Sequence, residues 1–177
     1  MDPSKYGVQS AWGMFRARGE LTSKFAQGDK RFMFYTEGQS QYLDVIDDQS
    51  QGYFPVKWTN LNDEGVAASK TADGGVDTDY PMFRLADVYL MYGDTSGDIK
   101  VNELTLDFIL DERARELYTE SVRRTDLIRY NEFTTSKYLW QWKGGTKDGM
   151  AVDSKYNIYP IPNNELTANP NLHNDNY

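Results

Sequence analysis

Residues 104–129 read Leu-Thr-Leu-Asp-Phe-Ile-Leu-Asp-Glu-Arg-Ala-Arg-Glu-Leu-Tyr-Thr-Glu-Ser-Val-Arg-Arg-Thr-Asp-Leu-Ile-Arg. Leu106, Ile109, Leu110, Ala114, Leu117, Tyr118 and Val122 recur at intervals of three and four, which places them on one stripe of an α-helix. Asp111, Glu112, Arg115 and Glu116 fall towards the other side as a solvated, salt-paired face, with Asp111 spaced to pair with Arg115 at i,i+4. The spacing predicts a helix over 104–122, and a second, short one over Asp126–Tyr130 after the basic pair Arg123-Arg124. Upstream, Pro81 suits a first helical turn, and Met82, Leu85, Ala86, Tyr89 and Leu90 keep helical spacing to Gly93. The turn Thr95-Ser96-Gly97-Asp98 separates the two helices. Residues 81–130 are therefore mainly α.

Further out the helical period is lost. Residues 31–35 and 42–46 are rich in aromatic and β-branched side chains around a polar spacer, which predicts a small β-hairpin. Tyr53–Trp58 adds a third strand, confined to an edge by Pro55, with Trp58 in the core. A short helix is expected over Gly19–Ala26, and residues 59–79 form a long polar loop. Residues 133–177 are irregular. Lys143–Gly149 is a loop, Tyr138, Trp140 and Trp142 alternate as a strand does, and Tyr159-Pro160-Ile161-Pro162 is extended. Asn163 or Asn164 caps a last helical turn that Pro170 ends.

Composition bounds the function. The 177 residues carry 19 basic and 27 acidic side chains, a net charge of −8, with no cluster of five or more basic residues, so no nucleic-acid partner is expected. Aromatic residues make up 14%, too many for a disordered chain. Cysteine is absent and His173 is the sole histidine, which removes disulfide scaffolds, thiolate chemistry, zinc clusters and His-based triads together. No apolar run approaches the roughly 20 residues of a membrane span, and Met1–Lys5 lacks the apolar core of a signal peptide.

Little catalytic equipment remains. Asp111, Glu112 and Glu116 lie on one helix surface, whereas a glycosidase needs two carboxyls facing each other across a sugar bond. Asp44, Asp47 and Asp48 lack the alternation of a calcium loop, and Gly144-Gly145-Thr146-Lys147 lacks phosphate-loop spacing. No metal or cofactor is expected. Aromatic rings beside polar groups are the remaining chemistry, since the C–H faces of sugars pack on Trp and Tyr while hydroxyls bond nearby side chains. Trp12 lies in such a setting, Val8-Gln9-Ser10-Ala11-Trp12-Gly13, with Arg16 and Arg18 close by, and from the residues alone a platform and a core role are equally open to it.

The run Asp111-Glu112-Arg113-Ala114-Arg115-Glu116-Leu117-Tyr118, followed by Arg123-Arg124-Thr125-Asp126-Leu127-Ile128-Arg129, resembles the signature of the SusD/RagB family. Phe83–Leu90, Phe133–Gly145, Tyr159–Pro162 and Asn169–Leu172 extend the resemblance in the same order, and it runs with decreasing strength from about residue 6 to 177. It implies the C-terminal part of a tetratricopeptide-type α-α superhelical fold with an irregular region carrying part of the ligand site. On this basis 1–80 is the ligand-side segment and 81–177 the helical and signature segment. It also implies a surface-exposed lipoprotein of the Bacteroidetes outer membrane, non-catalytic, that binds a nutrient glycan beside a SusC-like TonB-dependent transporter. Starch binding in the family uses an arc of aromatic rings, and the resemblance implies such a site here. Trp12 matches one of them, with Arg16 and Arg18 as neighbouring polar ligand-binding residues. The chain departs from the family in lacking the signal peptide, the lipid-bearing cysteine and most helix pairs, and in a gap near Met91–Asp94. The rival readings are a binder of another polysaccharide or a peptide, and a carbohydrate hydrolase using acidic pairs.

Overall fold

The computed structural model describes residues 1–76, 79–91, 100–175 and 177. Among the described residues helices are the main regular structure, with long irregular loops and one two-stranded antiparallel sheet. The chain divides into two compact units, Met1–Arg123 and Arg124–Tyr177.

In the first unit the longest element is α3 (Leu106–Glu116). Thr105 caps it, its Oγ1 accepting the Phe108 N–H at 3.1 Å. The lower part of the predicted apolar stripe is inside: Leu110, Ala114, Leu117 and Tyr118 are buried, while Leu106 is 70% exposed. The helix stops short of the predicted 122 because other groups take the carbonyls that would continue it. The Glu116 carbonyl accepts from Lys57 Nζ at 2.6 Å and from Arg84 Nη2 at 2.7 Å, and the Glu120 N–H turns back to Leu117 O at 3.2 Å. Thr119 and Ser121 then adopt positive φ, 64° and 60°. α2 (Leu85–Met91) packs on α3, and Asp87 pairs with the buried Arg113 at 2.7 Å. α2 begins four residues later than Pro81 suggests. Arg84, just before its first turn, is held by the Glu116 and Glu120 carboxylates instead, at 2.7 Å each. The expected turn at 95–98 and most of the gap near 91–94 lie outside the described residues.

The sheet pairs differently from the predicted hairpin. β1 (Phe34–Tyr35) runs antiparallel to β2 (Phe54–Pro55), with Phe34 opposite Pro55 and Tyr35 opposite Phe54. Residues 42–46 form no strand, because side chains satisfy their backbone: Gln51 Oε1 accepts the N–H groups of Asp44 and Val45 at 2.6 and 2.8 Å. α1 (Gly19–Thr22) is a single turn. The core of this unit is aromatic. Phe34 stacks on Tyr118 with centroids 4.9 Å apart, and Phe25 meets Phe32, Phe34 and Tyr118 edge-on at 5.6–5.9 Å. Offset and edge-to-face arrangements of this kind add roughly 0.5–1.5 kcal/mol per pair beyond area burial. Burial pushes the Tyr118 phenol up to about 12, and its hydroxyl donates to Arg31 O at 2.9 Å. Trp58, expected in the core, is 42% exposed, its indole N–H donating to Thr119 Oγ1 at 2.8 Å.

The acidic face of α3 is a bed of ion pairs with distant segments. Asp111 takes Lys24 at 2.5 Å, so the i,i+4 partner expected for it, Arg115, turns to Glu112 at 2.7 Å. Glu112 also takes Arg31. Glu116 takes Arg84 at 2.7 Å, and Glu120 takes Lys57 and Arg84. Arg31 is in turn gripped by Asp29 at 2.8 Å. These charges are half-buried rather than solvated, since each cation covers its carboxylate.

The second unit follows from α4 (Arg123–Arg129), which buries Asp126 and Leu127. Tyr138, Trp140 and Trp142 do not alternate along a strand. The chain turns, Trp142 adopts φ 65°, and Tyr138 stacks on Trp140 at 5.0 Å. Short 3-10 turns cover Lys143–Gly145 and Ser154–Asn157. α5 (Asn163–Ala168) is capped at Pro162 with no side-chain bond, since Asn163 already lies inside the helix, and it ends at Asn169, before Pro170. Among the described residues no helix is long and apolar enough to cross a membrane.

Candidate functional site

Trp12 is 81% exposed and Phe15 is 84% exposed. An apolar ring that open contributes little to folding, so these residues face solvent on a segment whose own backbone needs anchoring from elsewhere. The anchors are Ala17 and Arg16. The Ala17 N–H donates to Tyr53 O at 2.7 Å, an isolated antiparallel bridge that lays the segment against the strand leading into β2. Arg16 reaches the other way. Its Nη1 donates to the carbonyls of Gln51, at 2.7 Å, and of Asp48, and its Nη2 donates to Ile46 O at 2.5 Å. The fork of a guanidinium suits such convergent carbonyls, which a lysine point charge would not match.

Gly52 makes the close approach possible. Its φ is +79°, and a Cβ there would sit 2.7 Å from Leu43 Cδ1, 3.0 Å from Arg16 Cβ and 3.1 Å from Ala17 O. Only glycine takes that conformation with that little room.

Arg18 precedes α1 in extended conformation. It lines a cavity of about 230 Å³ with Phe15, Leu21, Pro55, Tyr118 and Thr119. Burial lowers the pKa of its guanidinium and the nearby Glu20 carboxylate partly offsets this. The structure thus brings Trp12, Arg16 and Arg18 onto one anchored segment but gives them different settings: an open ring, a guanidinium committed to loop carbonyls, and an arginine beside a largely apolar cavity. Phe15 and Met14, the latter 70% exposed, extend the apolar surface beside Trp12. They escaped sequence reasoning, because the run Trp12-Gly13-Met14-Phe15 has no period that separates inside from outside.

The carboxylates give no second site. Asp111, Glu112 and Glu116 each hold a cation, and among the described residues no group of three or more metal-ligating side chains converges. His173 lies exposed near the C-terminus.

Comparison with known proteins bears on this arrangement. A model of the SusD family matches residues 93–177. The starch-binding protein SusD of Bacteroides thetaiotaomicron is 39% identical over an alignment 170 positions long, gaps included, that covers 83% of this chain. The chain spans 30% of that relative's length. The mainly helical architecture with irregular loops and one small antiparallel sheet is consistent with part of such a fold. The family match over 93–177, and identity to the relative that extends upstream of it, make this chain similar to part of a SusD family protein.

Proposed function

We propose that this chain is a non-catalytic glycan-binding segment, taking starch or a related α-glucan or maltooligosaccharide. The observation that carries the reading is the indole of Trp12, 81% exposed on a segment pinned by Arg16 and Ala17. A ring held at the surface without serving the core offers its face to the C–H side of a pyranose. Arg18, beside the cavity next to Phe15, is the neighbouring polar residue offered to the ligand, and Arg16 acts on it through the position it gives the segment. Residues 1–80 are the ligand-side part of the chain in this reading, and 81–177 its helical support. The starch-binding name of the relative supports the choice of sugar. The same relationship supports a place at the cell surface, in outer-membrane nutrient uptake beside a SusC-like TonB-dependent transporter. Asp111, Glu112 and Glu116 of α3 are spent on ion pairs that order the fold, which favours binding over hydrolysis.

Calorimetric titration with maltoheptaose and with a cyclodextrin tests the proposal, on the chain and on Trp12→Ala. The expected result is binding to the unaltered chain and a loss of roughly tenfold or more in the variant, about 1.4 kcal/mol. Equal binding by both removes Trp12 from the site. No release of reducing ends from starch is expected, and turnover would overturn the non-catalytic assignment.

A further inference from the structure

We propose that the C-terminal unit carries a second saccharide-stacking site on the ring of Tyr159, which takes a neutral pyranose ring of the same α-glucan. The sugar's identity rests on the reading above, whereas the site rests on other residues.

A cavity of about 790 Å³ opens within Arg124–Tyr177, walled by the rings of Phe133, Tyr156, Tyr159 and Tyr177 and by Arg124. That volume falls in the range of small-ligand pockets, about 300–1,000 Å³. Tyr159 is 74% exposed. It is nevertheless held from several sides. The Arg124 guanidinium lies 3.9 Å from its centroid, a cation–π contact, and the same guanidinium sits 5.0 Å from Phe133. Arg124 Nη2 also donates to Tyr156 O at 2.6 Å, which fixes the cation that supports the ring. On the C-terminal side the backbone runs Pro160-Ile161-Pro162, where both prolines fix φ. Asn174 clamps the residue between them, accepting the Ile161 N–H at 2.8 Å and donating to its carbonyl at 2.9 Å. The Tyr177 hydroxyl reaches the carbonyls of Ile158, at 2.5 Å, and Lys155, at 2.9 Å, and its ring meets Tyr156 edge-on at 6.2 Å.

An aromatic side chain that is both open and immobilised has little entropy to lose when a ligand covers it. With a planar cation against one face, the other face is free for the C–H side of a sugar. The guanidinium stays behind the ring, where it holds the platform rather than the sugar's hydroxyls. Aromatic walls suit a neutral polyol, whose rings are apolar on their faces and polar at their rims.

Titration with maltotriose separates this site from the one at Trp12. The unaltered chain is expected to bind two per chain, and Trp12→Ala and Tyr159→Ala one each. Tyr159→Leu keeps apolar volume without a ring and is expected to lose the second site at least tenfold, with the thermal midpoint unchanged, whereas Tyr159→Phe retains it. One maltotriose per chain, lost in Trp12→Ala and untouched in Tyr159→Leu, overturns the second site and leaves the first reading intact. One per chain, lost in Tyr159→Leu and untouched in Trp12→Ala, overturns the Trp12 reading and leaves this one. Absence of binding to a chain that circular dichroism shows to be folded overturns both.

Discussion

Replacing Lys57 with Met removes a charge from one of the least accessible ion pairs in the protein, since the side chains of Lys57 and Glu120 are 9% and 5% exposed. The ammonium donates to the Glu120 carboxylate, to Glu116 O at 2.6 Å and to Tyr118 O at 3.3 Å, and lies 4.8 Å from the Tyr118 ring centroid. Methionine has a similar volume, so the cavity term is small and the loss is electrostatic. Breaking a buried pair by removing one partner costs about 3–5 kcal/mol. Arg84 remains on Glu120 through bonds of 2.7 and 2.8 Å, and on Glu116 O at 2.7 Å, which places the expected cost near the lower end, about 3 kcal/mol. For a chain of this size that is a fall in melting midpoint of about 6–12 °C. Urea unfolding followed by far-ultraviolet circular dichroism reads it at neutral pH, with an unchanged denaturant slope showing that the unfolded state is not what changed. The double variant Lys57→Met/Glu120→Gln should be more stable than the sum of its singles by about 1 kcal/mol or more, the signature of two groups that act on each other. A cost under about 1 kcal/mol for Lys57→Met, or a cycle additive within about 0.5 kcal/mol, refutes the view that this cation closes the end of α3.

Other expectations follow from the same geometry. Gly19→Ala drives a Cβ to 2.3 Å from the Tyr42 ring, so a destabilisation of about 1–3 kcal/mol is expected in the same urea assay. Acid should act through two carboxylates. Burial raises the Glu120 carboxyl, but hydrogen bonds from Arg84 and Lys57 outweigh it and hold it below the ordinary value, and the Arg31 side chain holds Asp29 low in the same way. Both are depressed in the folded state, so their contribution is complete above about pH 4–5, where the unfolded carboxyls are ionised, and is lost as pH falls through the folded values. A pH series of melting midpoints should show a plateau above pH 5 and a decline below pH 4, and a flat profile down to pH 3 counts against it. Asn174→Ala removes both bonds to Ile161 and should speed amide exchange at Ile161 by roughly tenfold, about 1–1.5 kcal/mol of local opening, without disturbing exchange in α3.

The parts of the fold that were legible are those set by near neighbours. The stripe through Leu110, Ala114, Leu117 and Tyr118 is a local pattern, and it predicts the buried side of α3 correctly. Its end was not legible, because Lys57 and Arg84 act on Glu116 from 59 and 32 residues away. The hairpin failed for the same reason. β1 is only two residues long and its partner lies beyond an intervening segment, whose backbone is satisfied by Gln51 and Arg16 rather than by a ladder. Asp111 and Arg115 had the spacing of a helix pair, but Lys24 arrives from a different part of the chain and claims Asp111. At the candidate site the identity of Trp12 was legible and its exposure was not, since a tryptophan among small polar residues fits inside and outside equally well. Tyr159 was legible only as part of an extended proline segment; that it is an exposed ring braced by Arg124 depends on a residue 35 positions earlier.

The Arg16 clamp also bears on how this region tolerates change. Its partners at Ile46, Asp48 and Gln51 are main-chain oxygens, which every amino acid supplies. The side chain at 46 is therefore free to drift, while that of Asp48 is held by Ser50 and Gln51; inserting or deleting one residue there would carry the oxygens out of reach of the guanidinium and shift the indole at position 12. Related chains that keep the arginine should vary in the letters of this loop and agree in its length.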